Sequence, residues 1–504
     1  MKRSFALFVA AGCLAAGTAL AQAPTPAVQP TAFETYSYYD AVGSQPSPSD
    51  QPVQAVTQAP AEAATCAPTC DYGGCGGCGG GWFDGCCKCG PLGHCCWPCG
   101  CTLADMGDVW RLYKPCCEDS QWSGAGWLAQ SYVWNPYRPV DRFNGPATWN
   151  DRANDYQMNE LFYYYGRAAK TDQCCLDWGA RVDALYGTSY RWNTSAGFET
   201  HWGNGSFYGL CVPQAYFQLG YNGWDIKVGR FYSPVGYYVI GTANNFFPLL
   251  PYTFQYGEPF THTGVIATKK VNDQLTLGGA VTHGWDDTDN TGNPHMGGLL
   301  TASYTIDEQR SLAYVGVIGN EPNLSGVNAW SHATPLGGPG TQGYTARYLQ
   351  TLVYSRKFSD DVMGVLQSDY GNQHDAVVAG RTAMWYGLNS YLYWNMTCRC
   401  QWGVNAEWFR DQGGFRVGQV LPSFGSPNAR GLGTGQAGRF GYDGSFYRVM
   451  FGPKYYFTPN IYTRASLAAD WYDGKANNPG GLRPFDDGTK NYQQAVVFDL
   501  VALF

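Results

Sequence analysis

Residues 224–286, WDIKVGRFYSPVGYYVIGTANNFFPLLPYTFQYGEPFTHTGVIATKKVNDQLTLGGAVTHGWD, are the stretch that decides the fold. The stretch begins by alternating apolar side chains with polar or small ones, which is the period of a β-strand with one apolar face. After Pro234 come about 28 residues rich in Gly, Asn, Pro, Phe and Tyr, which is too many for an ordinary hairpin loop. Two more strands, at 262–270 and 274–285, then form a hairpin. A long ordered loop among regular hairpins predicts a segment folded into the mouth of a barrel.

Four segments in this region carry a family resemblance: VGRFYSPVGYYV at 228–239, NNFF at 244–247, PFTHTGV at 259–265 and GAVTHGWDD at 279–287. They resemble the bacterial outer-membrane β-barrel porin family described as OmpL-like. In that family, a strand ending in G-[RK]-F precedes a P-F-x-H-T-G-V strand and a strand that ends in N-G-W-D. His283 stands here where the family motif has Asn. The resemblance covers roughly residues 155–504 and implies an outer-membrane pore.

The composition is that of many short, twisted strands and tight turns. Aromatic residues make up 16% of the chain and charged residues only 14%, against about 25% charged residues in soluble domains. Glycine accounts for 65 of the 504 residues, and this composition disfavours helix bundles. The net charge of −7 is too small to indicate a nucleic-acid partner.

The N-terminal part of the chain predicts export. Lys2 and Arg3 precede an apolar core at 5–17, and an Ala-Leu-Ala cleavage site follows, so residues 1–21 are expected to be a cleaved signal peptide. Residues 22–65 are mainly Pro, Ala, Gln, Thr and Ser, and they are expected to form a disordered spacer. The rest of the chain has no apolar run of about 18 residues, so it could enter a membrane only as a closed barrel.

Residues 66–117 form a Cys- and Gly-rich module that holds 13 of the 19 cysteines. In an exported protein thiols oxidise, and a small segment without a core is held by disulfides or cross-linked to other chains. The C-x-x-C pairs, such as Cys75–Cys78 and Cys86–Cys89, also have metal-ligand spacing. The metal alternative stays open, although the crowding of the pairs favours disulfides. The disulfide candidates are Cys66, Cys70, Cys75, Cys78, Cys86, Cys87, Cys89, Cys95, Cys96, Cys99, Cys101, Cys116 and Cys117.

Residues 118–154, rich in Trp and Pro, are predicted to be an irregular connector, and residues 155–504 are predicted to be the barrel. Along one predicted strand, Trp178 and Tyr186 end an apolar face, and Arg181 lies on the opposite face. Aromatic ends with small residues between them are typical of a transmembrane strand that crosses two membrane interfaces. Short turns alternate with long loops along the chain. We therefore predict an all-β fold, a transmembrane antiparallel β-barrel of about 16 strands (range about 14 to 18), preceded by the spacer and the Cys-rich segment.

If the aromatic-ended face meets lipid, the opposite face lines a lumen. Charges of both signs there would select small hydrophilic solutes, or they would simply pair and stabilise the wall; both interpretations stay open. The pore-lining candidates are Arg181, Asp183, Gln214, Gln218, Asp225, Lys227, Arg347, Asp369, Glu407, Arg448, Lys454, Arg464, Asp470 and Asp499. The excursion at 236–260 is expected either to constrict the pore or to cap it from outside. Its constriction candidates are Asn244, Asn245, Tyr252 and Glu258.

The sequence predicts an outer-membrane porin of a diderm bacterium, which passively conducts small hydrophilic solutes and ions. The histidines are scattered, and no G-x-S-x-G, H-E-x-x-H or P-loop motif is present, so we expect no enzymatic activity, no cofactor and, outside the Cys-rich module, no metal. The alternating last strand ends on Phe504, which resembles the sorting signature of substrates of the barrel-assembly machinery. The other expected partners are outer-membrane lipid and small polar solutes and ions. The chain is also expected to form a homotrimer and cysteine cross-links to the envelope, and it is not expected to bind nucleic acid.

Two alternatives belong to other classes of protein. The first is a structural cell-envelope protein whose N-terminal cysteines form disulfide cross-links and whose barrel is only an anchor. The second is a secreted soluble β-protein. A soluble barrel would be rich in Lys and Glu on its outer face, and the scarcity of charge therefore favours the membrane barrel.

Overall fold

The computed structural model describes residues 110–114, 120–199, 202, 206–289, 293–322, 344–376, 380–397, 399–417, 442–476 and 483–504. The predicted signal peptide, the spacer and all thirteen disulfide candidates lie outside these residues, so the predictions for them stay untested. Within the described part of the chain, no helix is long and apolar enough to cross a membrane.

Sixteen antiparallel strands in the described part of the chain close into one barrel. Each strand pairs with its neighbours in sequence, and the last strand pairs with the first, which confirms the predicted fold. The strands are β1 (Trp122–Trp134), β2 (Tyr156–Arg167), β3 (Asp177–Gly187), β4 (Gly209–Tyr221), β5 (Trp224–Tyr232), β6 (Thr261–Lys270), β7 (Leu275–His283), β8 (Met296–Asp307), β9 (Arg310–Pro322), β10 (Tyr344–Ser359), β11 (Val362–Gln373), β12 (Ala383–Thr397), β13 (Cys400–Gln412), β14 (Tyr442–Thr458), β15 (Ile461–Ala476) and β16 (Tyr492–Leu503). In the loops that the structure describes, three short helical turns lie at Tyr190–Asn193, Thr242–Asn244 and Thr253–Gly257.

The position of β1 corrects the predicted start of the barrel. This strand lies within residues 118–154, where an irregular connector was expected, and the barrel therefore begins at Trp122 rather than at residue 155. The prediction was wrong because both faces of β1 are apolar, so the strand lacks a clear alternation. On β1 the aromatic Trp127 is buried inside the barrel, and the aromatic Tyr132, on the other face of the same strand, is exposed outside it.

We expect truncated chains to show whether the barrel begins at β1 or only at residue 155. A chain of residues 120–504 should refold in detergent into a compact form whose gel mobility shifts on heating. A chain of residues 155–504 lacks β1 and leaves two strand edges unpaired in lipid, and it should show no such shift. Equal refolding of the two chains would contradict the closure of β1 on β16.

The outward face of the barrel carries two aromatic belts separated by aliphatic residues, as the alternation predicts. Most lipid-facing positions between the belts are aliphatic, such as Val182, which is 52% exposed, and Leu467, which is 53% exposed, although Phe451, directly opposite Leu467, is also exposed. One belt consists of Tyr165, Trp178, Tyr221, Trp224, Phe358 and Phe457. The other consists of Trp134, Tyr156, Tyr186, Trp408, Tyr447, Trp471 and Tyr492.

The two ends of the barrel differ. At one end, here called the turn end, strands are joined mostly by short turns, and the last strand also finishes there. In the turn between β4 and β5, Asn222 and Gly223 have φ angles of 45° and 76°, as a type I′ hairpin turn requires. Longer connections join the strands at the opposite end. The connection between β5 and β6, residues 233–260, is hereafter called the inner loop.

Candidate functional site

The inner loop lies within the barrel and not over its mouth. Almost every one of its residues is buried, including Phe247 and Tyr252, which are both 0% exposed. Its aromatic side chains form one hydrophobic cluster with inward-facing wall residues, such as Tyr393 on β12 and Phe446 on β14. The inward face is therefore apolar along part of the wall, although all the pore-lining candidates selected from the sequence are polar or charged. This apolar surface is covered by the loop and not by water.

A carboxylate on β13 holds the middle of the inner loop. Glu407 accepts hydrogen bonds from the backbone N–H groups of Tyr252 and Thr253 at 2.7 and 2.6 Å, and from the Thr253 hydroxyl at 2.8 Å. Asn389 on β12 donates to the same hydroxyl at 2.8 Å. Trp385, also on β12, donates from its indole N–H to the carbonyl of Gly257 at 2.9 Å. These bonds satisfy backbone groups that the loop would otherwise bury without partners.

Two buried arginines hold the earlier part of the loop. Arg448 on β14 pairs with Asp470 on β15 at 2.6 Å and donates to the carbonyl of Leu250 at 2.5 Å. Arg464 on β15 pairs with Asp499 on β16. Its guanidinium also donates to the carbonyls of Thr242 at 2.7 Å and Asn245 at 2.6 Å. A planar guanidinium can serve a carboxylate and loop carbonyls together, which a lysine ammonium does less well.

A second acid, on β2, also contacts the inner loop. Glu160 is fully buried and accepts hydrogen bonds from the indole of Trp127 at 2.8 Å and from the backbone N–H of Thr242 at 3.0 Å. The sequence reasoning did not select this residue. The sequence feature that could have identified it is that Glu160 is the single acidic residue of the strand YQMNELFYYYGR and lies on the side that faces inward.

Gln367 on β11 binds the inner loop near both its start and its end. Gln367 on β11 donates from its amide to Glu258 at 2.6 Å and to Asp369 at 2.8 Å. Its carbonyl oxygen accepts from the backbone N–H of Tyr237 at 3.0 Å. Burial raises the pKa of Glu258 well above its usual range, and the neighbouring Asp369 carboxyl adds to the rise. Gly236, with a φ of 83°, lies directly against the Glu258 carboxyl, where a Cβ atom would collide.

We expect the attachment of the inner loop to weaken as the pH rises. Because the pKa of Glu258 is raised in the folded barrel, its stabilising contribution is complete below the ordinary carboxyl pKa and is lost as the pH passes the raised value. Hydrogen exchange of the inner-loop amides should therefore accelerate at alkaline pH. Glu258→Gln should abolish this dependence, whereas Glu308→Gln, in an exposed turn, should leave it intact. If exchange of the wild-type loop amides changed with pH only as the intrinsic exchange rate does, the role of Glu258 in attaching the loop would be contradicted.

A further acid joins the end of the inner loop to the following loop. Asp286 accepts hydrogen bonds from the backbone N–H groups of Phe260 at 3.0 Å and Thr261 at 2.8 Å. Burial raises its pKa to about 6, although these two amides oppose the rise. The Nδ1–H of His262 donates to the carbonyl of Gly284 at 3.1 Å, and its Nε2 lies 3.2 Å from the Ser233 hydroxyl, so the histidine of the PFTHTGV segment also ties these loops together.

All fourteen pore-lining candidates are buried on the inward side of the barrel wall. Their partners divide them into two groups. Glu407, Arg448 and Arg464 contact the inner loop, as described above. On β3 to β5, in contrast, the pairs run along the wall: Arg181 with Asp183 at 2.7 Å and Lys227 with Asp225 at 3.7 Å. Asp369, Asp470 and Asp499 have the partners given above. The other four candidates are Gln214 beside Asp183, Gln218 beside Asp225, Arg347 beside Glu321, and Lys454 over the Tyr462 ring.

The constriction candidates also lie inside the barrel, and three of them have structural contacts. Asn245 bonds the backbone of Val239 through both ends of its amide, at 2.7 and 3.0 Å. Tyr252 stacks on the Arg448 guanidinium, 4.4 Å from the ring centre. All four candidates lie in the described part of the chain; Asn244 is partly exposed, and the other three are buried. Within the described residues, no group of three His, Cys, Asp or Glu side chains is placed to hold a metal ion.

Comparison with known proteins gives one family match. A family model described as “Putative beta-barrel porin-2, OmpL-like” matches residues 122–504, which begins where β1 begins. No curated protein matches the chain.

Several solved structures resemble the barrel remotely. OmpT of Vibrio cholerae has a TM-score of 0.46 at 10% identity, covering 77% of this chain and 100% of its own. The outer membrane channel DcaP of Acinetobacter baumannii has a TM-score of 0.47 at 10% identity, covering 76% of this chain and 97% of its own. A Rhodopseudomonas blastica porin has a TM-score of 0.39 at 13% identity, covering 76% of this chain and 99% of its own. Likenesses this remote carry no functional argument.

Proposed function

The chain belongs to the beta-barrel porin-2, OmpL-like family and is a porin of the outer membrane, and we propose that it conducts small hydrophilic solutes and ions along a path narrowed by its inner loop. The observation that carries this proposal is the burial of residues 233–260 inside a closed sixteen-stranded barrel. A barrel of this size encloses an aqueous channel unless something fills it. The inner loop fills part of it, so only small solutes would pass.

We place the path along the inward faces of β3, β4 and β5. Three charged side chains there, Arg181, Asp225 and Lys227, are each 8% exposed, whereas the loop-holding Arg448 and Arg464 are 1% exposed. Asp183, the partner of Arg181, is fully buried. Charges of both signs along this face would orient water and screen passing ions without favouring one sign strongly. The homotrimer, the cleavage of the signal peptide and the cysteine cross-links stay predictions.

The proposal is tested by single-channel recording from the purified protein in a planar bilayer, with and without residues 22–119. Discrete conductance steps from both proteins would support a passive pore formed by the barrel. Folded, membrane-inserted protein that gives no steps in either form would favour the alternative of an anchor protein.

We expect Lys227→Glu to make the pore more selective for cations. The substitution changes the charge of the path by two units beside Asp225, and a surplus of acid in a narrow pore attracts cations. The permeability ratio of K⁺ over Cl⁻, from the reversal potential in a KCl gradient, should rise by roughly threefold. Lys270→Glu is the matched control, because Lys270 is 60% exposed at the turn end. An equal shift in both variants would contradict the placement of the path.

A further inference from the structure

Two arginines lie side by side on the outer face of the wall, near the aromatic belt of the turn end. Arg310 on β9 and Arg356 on β10 are directly opposite each other in the strand pairing, so both side chains leave the sheet on the same face. The alternation along β10 places them on the face of Leu352, which is 43% exposed. Residues directly opposite each other have Cβ atoms about 5 Å apart, and like charges at that distance destabilise the pair. An anion bound between the two guanidinium groups would remove this repulsion.

Acidic side chains do not fully neutralise this pair of arginines. Arg310 donates to Asp307 through Nε at 2.7 Å and through Nη2 at 2.5 Å, which leaves its other N–H groups for a further acceptor. Arg356 is exposed and has no acidic partner among the described residues, and its guanidinium lies 5.0 Å from the centre of the Phe358 ring. Glu308 lies in the turn beyond the strand ends. Positive charge is therefore left at the level of the aromatic belt, on the lipid-facing side.

Two cations near the opposite belt are arranged differently. Arg410, which faces outward on β13, pairs with Asp443 at 3.0 Å. Lys490, just before β16, pairs with Asp486 at 2.8 Å. Both cations have an acidic partner from the chain itself, whereas Arg356 has none in the part of the chain that the structure describes. The surplus charge at the turn end is thus not a general feature of the aromatic belts, and it indicates a ligand of opposite charge.

An apolar strip leads from the two arginines towards the middle of the membrane. On its β11 side Arg356 faces Gly364, and the Phe358 ring covers this position, since a Cβ atom at Gly364 would lie 2.8 Å from the edge of the ring. The next outward position on β10 is Tyr354, which is directly opposite Leu366 on β11. Leu366 is 39% exposed. Cationic groups at the head of an apolar strip match a lipid, which joins a charged headgroup to acyl chains.

We propose that Arg310 and Arg356 bind the phosphate group of a phospholipid from the leaflet at the turn end, and that an acyl chain of this lipid lies along Tyr354 and Leu366. Planar guanidinium groups bind phosphate oxygens through paired N–H groups, so the two arginines can hold one phosphate between them. The charges are complementary, and the apolar strip is continuous with the lipid-facing wall. Short turns of outer-membrane barrels face the periplasm, so the lipid belongs to the periplasmic leaflet. This site goes beyond solute conduction and does not depend on it.

The site is tested on the full chain, folded in detergent and titrated with dioleoylphosphatidylglycerol, by native mass spectrometry of the lipid adducts. The double variant Arg310→Gln/Arg356→Gln should weaken binding of the first lipid by roughly tenfold, because both cations that attract the phosphate are removed. Arg410→Gln removes an outward cation at the other end, so this matched control should bind like the intact chain. The heat-induced gel shift verifies that each variant is folded. Unchanged binding in the double variant, or an equal loss in the control, would overturn the proposal.

A second variant keeps both arginines. Gly364→Leu should displace the Phe358 ring on which Arg356 stacks, and it should therefore weaken binding of the same phospholipid severalfold. Unchanged binding in this variant would overturn the position of the acyl chain.

Two further probes identify the source of the phosphate. Dioleoylglycerol, which lacks a phosphate group, should bind the intact chain no more tightly than it binds the double variant. Inorganic phosphate at millimolar concentration should not displace the phospholipid. If dioleoylglycerol bound the intact chain as tightly as the phospholipid does, or if inorganic phosphate displaced the lipid, the proposal would be wrong. Single-channel conductance should be unchanged in all these variants, so failure of the pore and failure of the lipid site are distinguished.

Discussion

Removal of the inner loop is expected to raise the single-channel conductance by roughly threefold or more, because a sixteen-stranded barrel without a filling segment encloses a wide aqueous channel. The ends of the loop already meet, since the N–H of Ser233 donates to the carbonyl of Phe260 at 2.9 Å. Residues 236–257 can therefore be replaced by an Asn-Gly turn without moving β5 or β6. The measurement is the distribution of conductance steps in a planar bilayer.

The control for this deletion concerns folding, because the loop covers apolar wall residues such as Phe409 and Met450. The deletion variant should still close, since the strand pairs do not depend on the loop, but its heat-induced gel shift should occur at a lower temperature. A variant that folds and conducts like the intact protein would show that the path is narrowed elsewhere. In that case the proposed role of the inner loop would be wrong.

Replacement of Arg464 by Met is expected to give the largest loss of stability from a single substitution. Arg464 is 1% exposed and pairs with Asp499, and it also donates to the carbonyls of Thr242 and Asn245. Removing one partner of a buried ion pair leaves an uncompensated charge, which typically costs about 3–5 kcal/mol. The free energy of unfolding, from urea titration in lipid vesicles, should fall by about this amount.

Arg310→Met is the matched control for this substitution. Arg310 also pairs with an aspartate, Asp307, at 2.5 Å, but the two side chains are 46% and 42% exposed. Exposed pairs contribute about 0–1 kcal/mol, so this variant should unfold almost like the intact protein. Equal losses in the two variants would show that Arg464 does not hold the inner loop to the wall.

The sequence identified many of the acidic and basic residues of the inward face but not the contacts that each of them makes. Arg448 and Lys227 both alternate with outward-facing apolar residues, and nothing local distinguishes them. In the fold, Arg448 supports Leu250 in the inner loop, whereas Lys227 pairs with Asp225 along the wall. Glu160 was missed for the same reason, because its partners Trp127 and Thr242 come from other elements.

What the sequence by itself determined is the alternation of faces, and with it the barrel, the two aromatic belts and the long loop of residues 233–260. Period-two alternation is a local property of an extended backbone, and lipid on one side imposes it strand by strand. Only the tertiary structure decided that β1 closes the barrel and that the inner loop fills it. These features depend on contacts between residues far apart in sequence, such as Tyr252 with Glu407, 155 positions away, and Thr242 with Arg464, 222 positions away. Such pairs meet only after the wall has closed, so no local pattern records them.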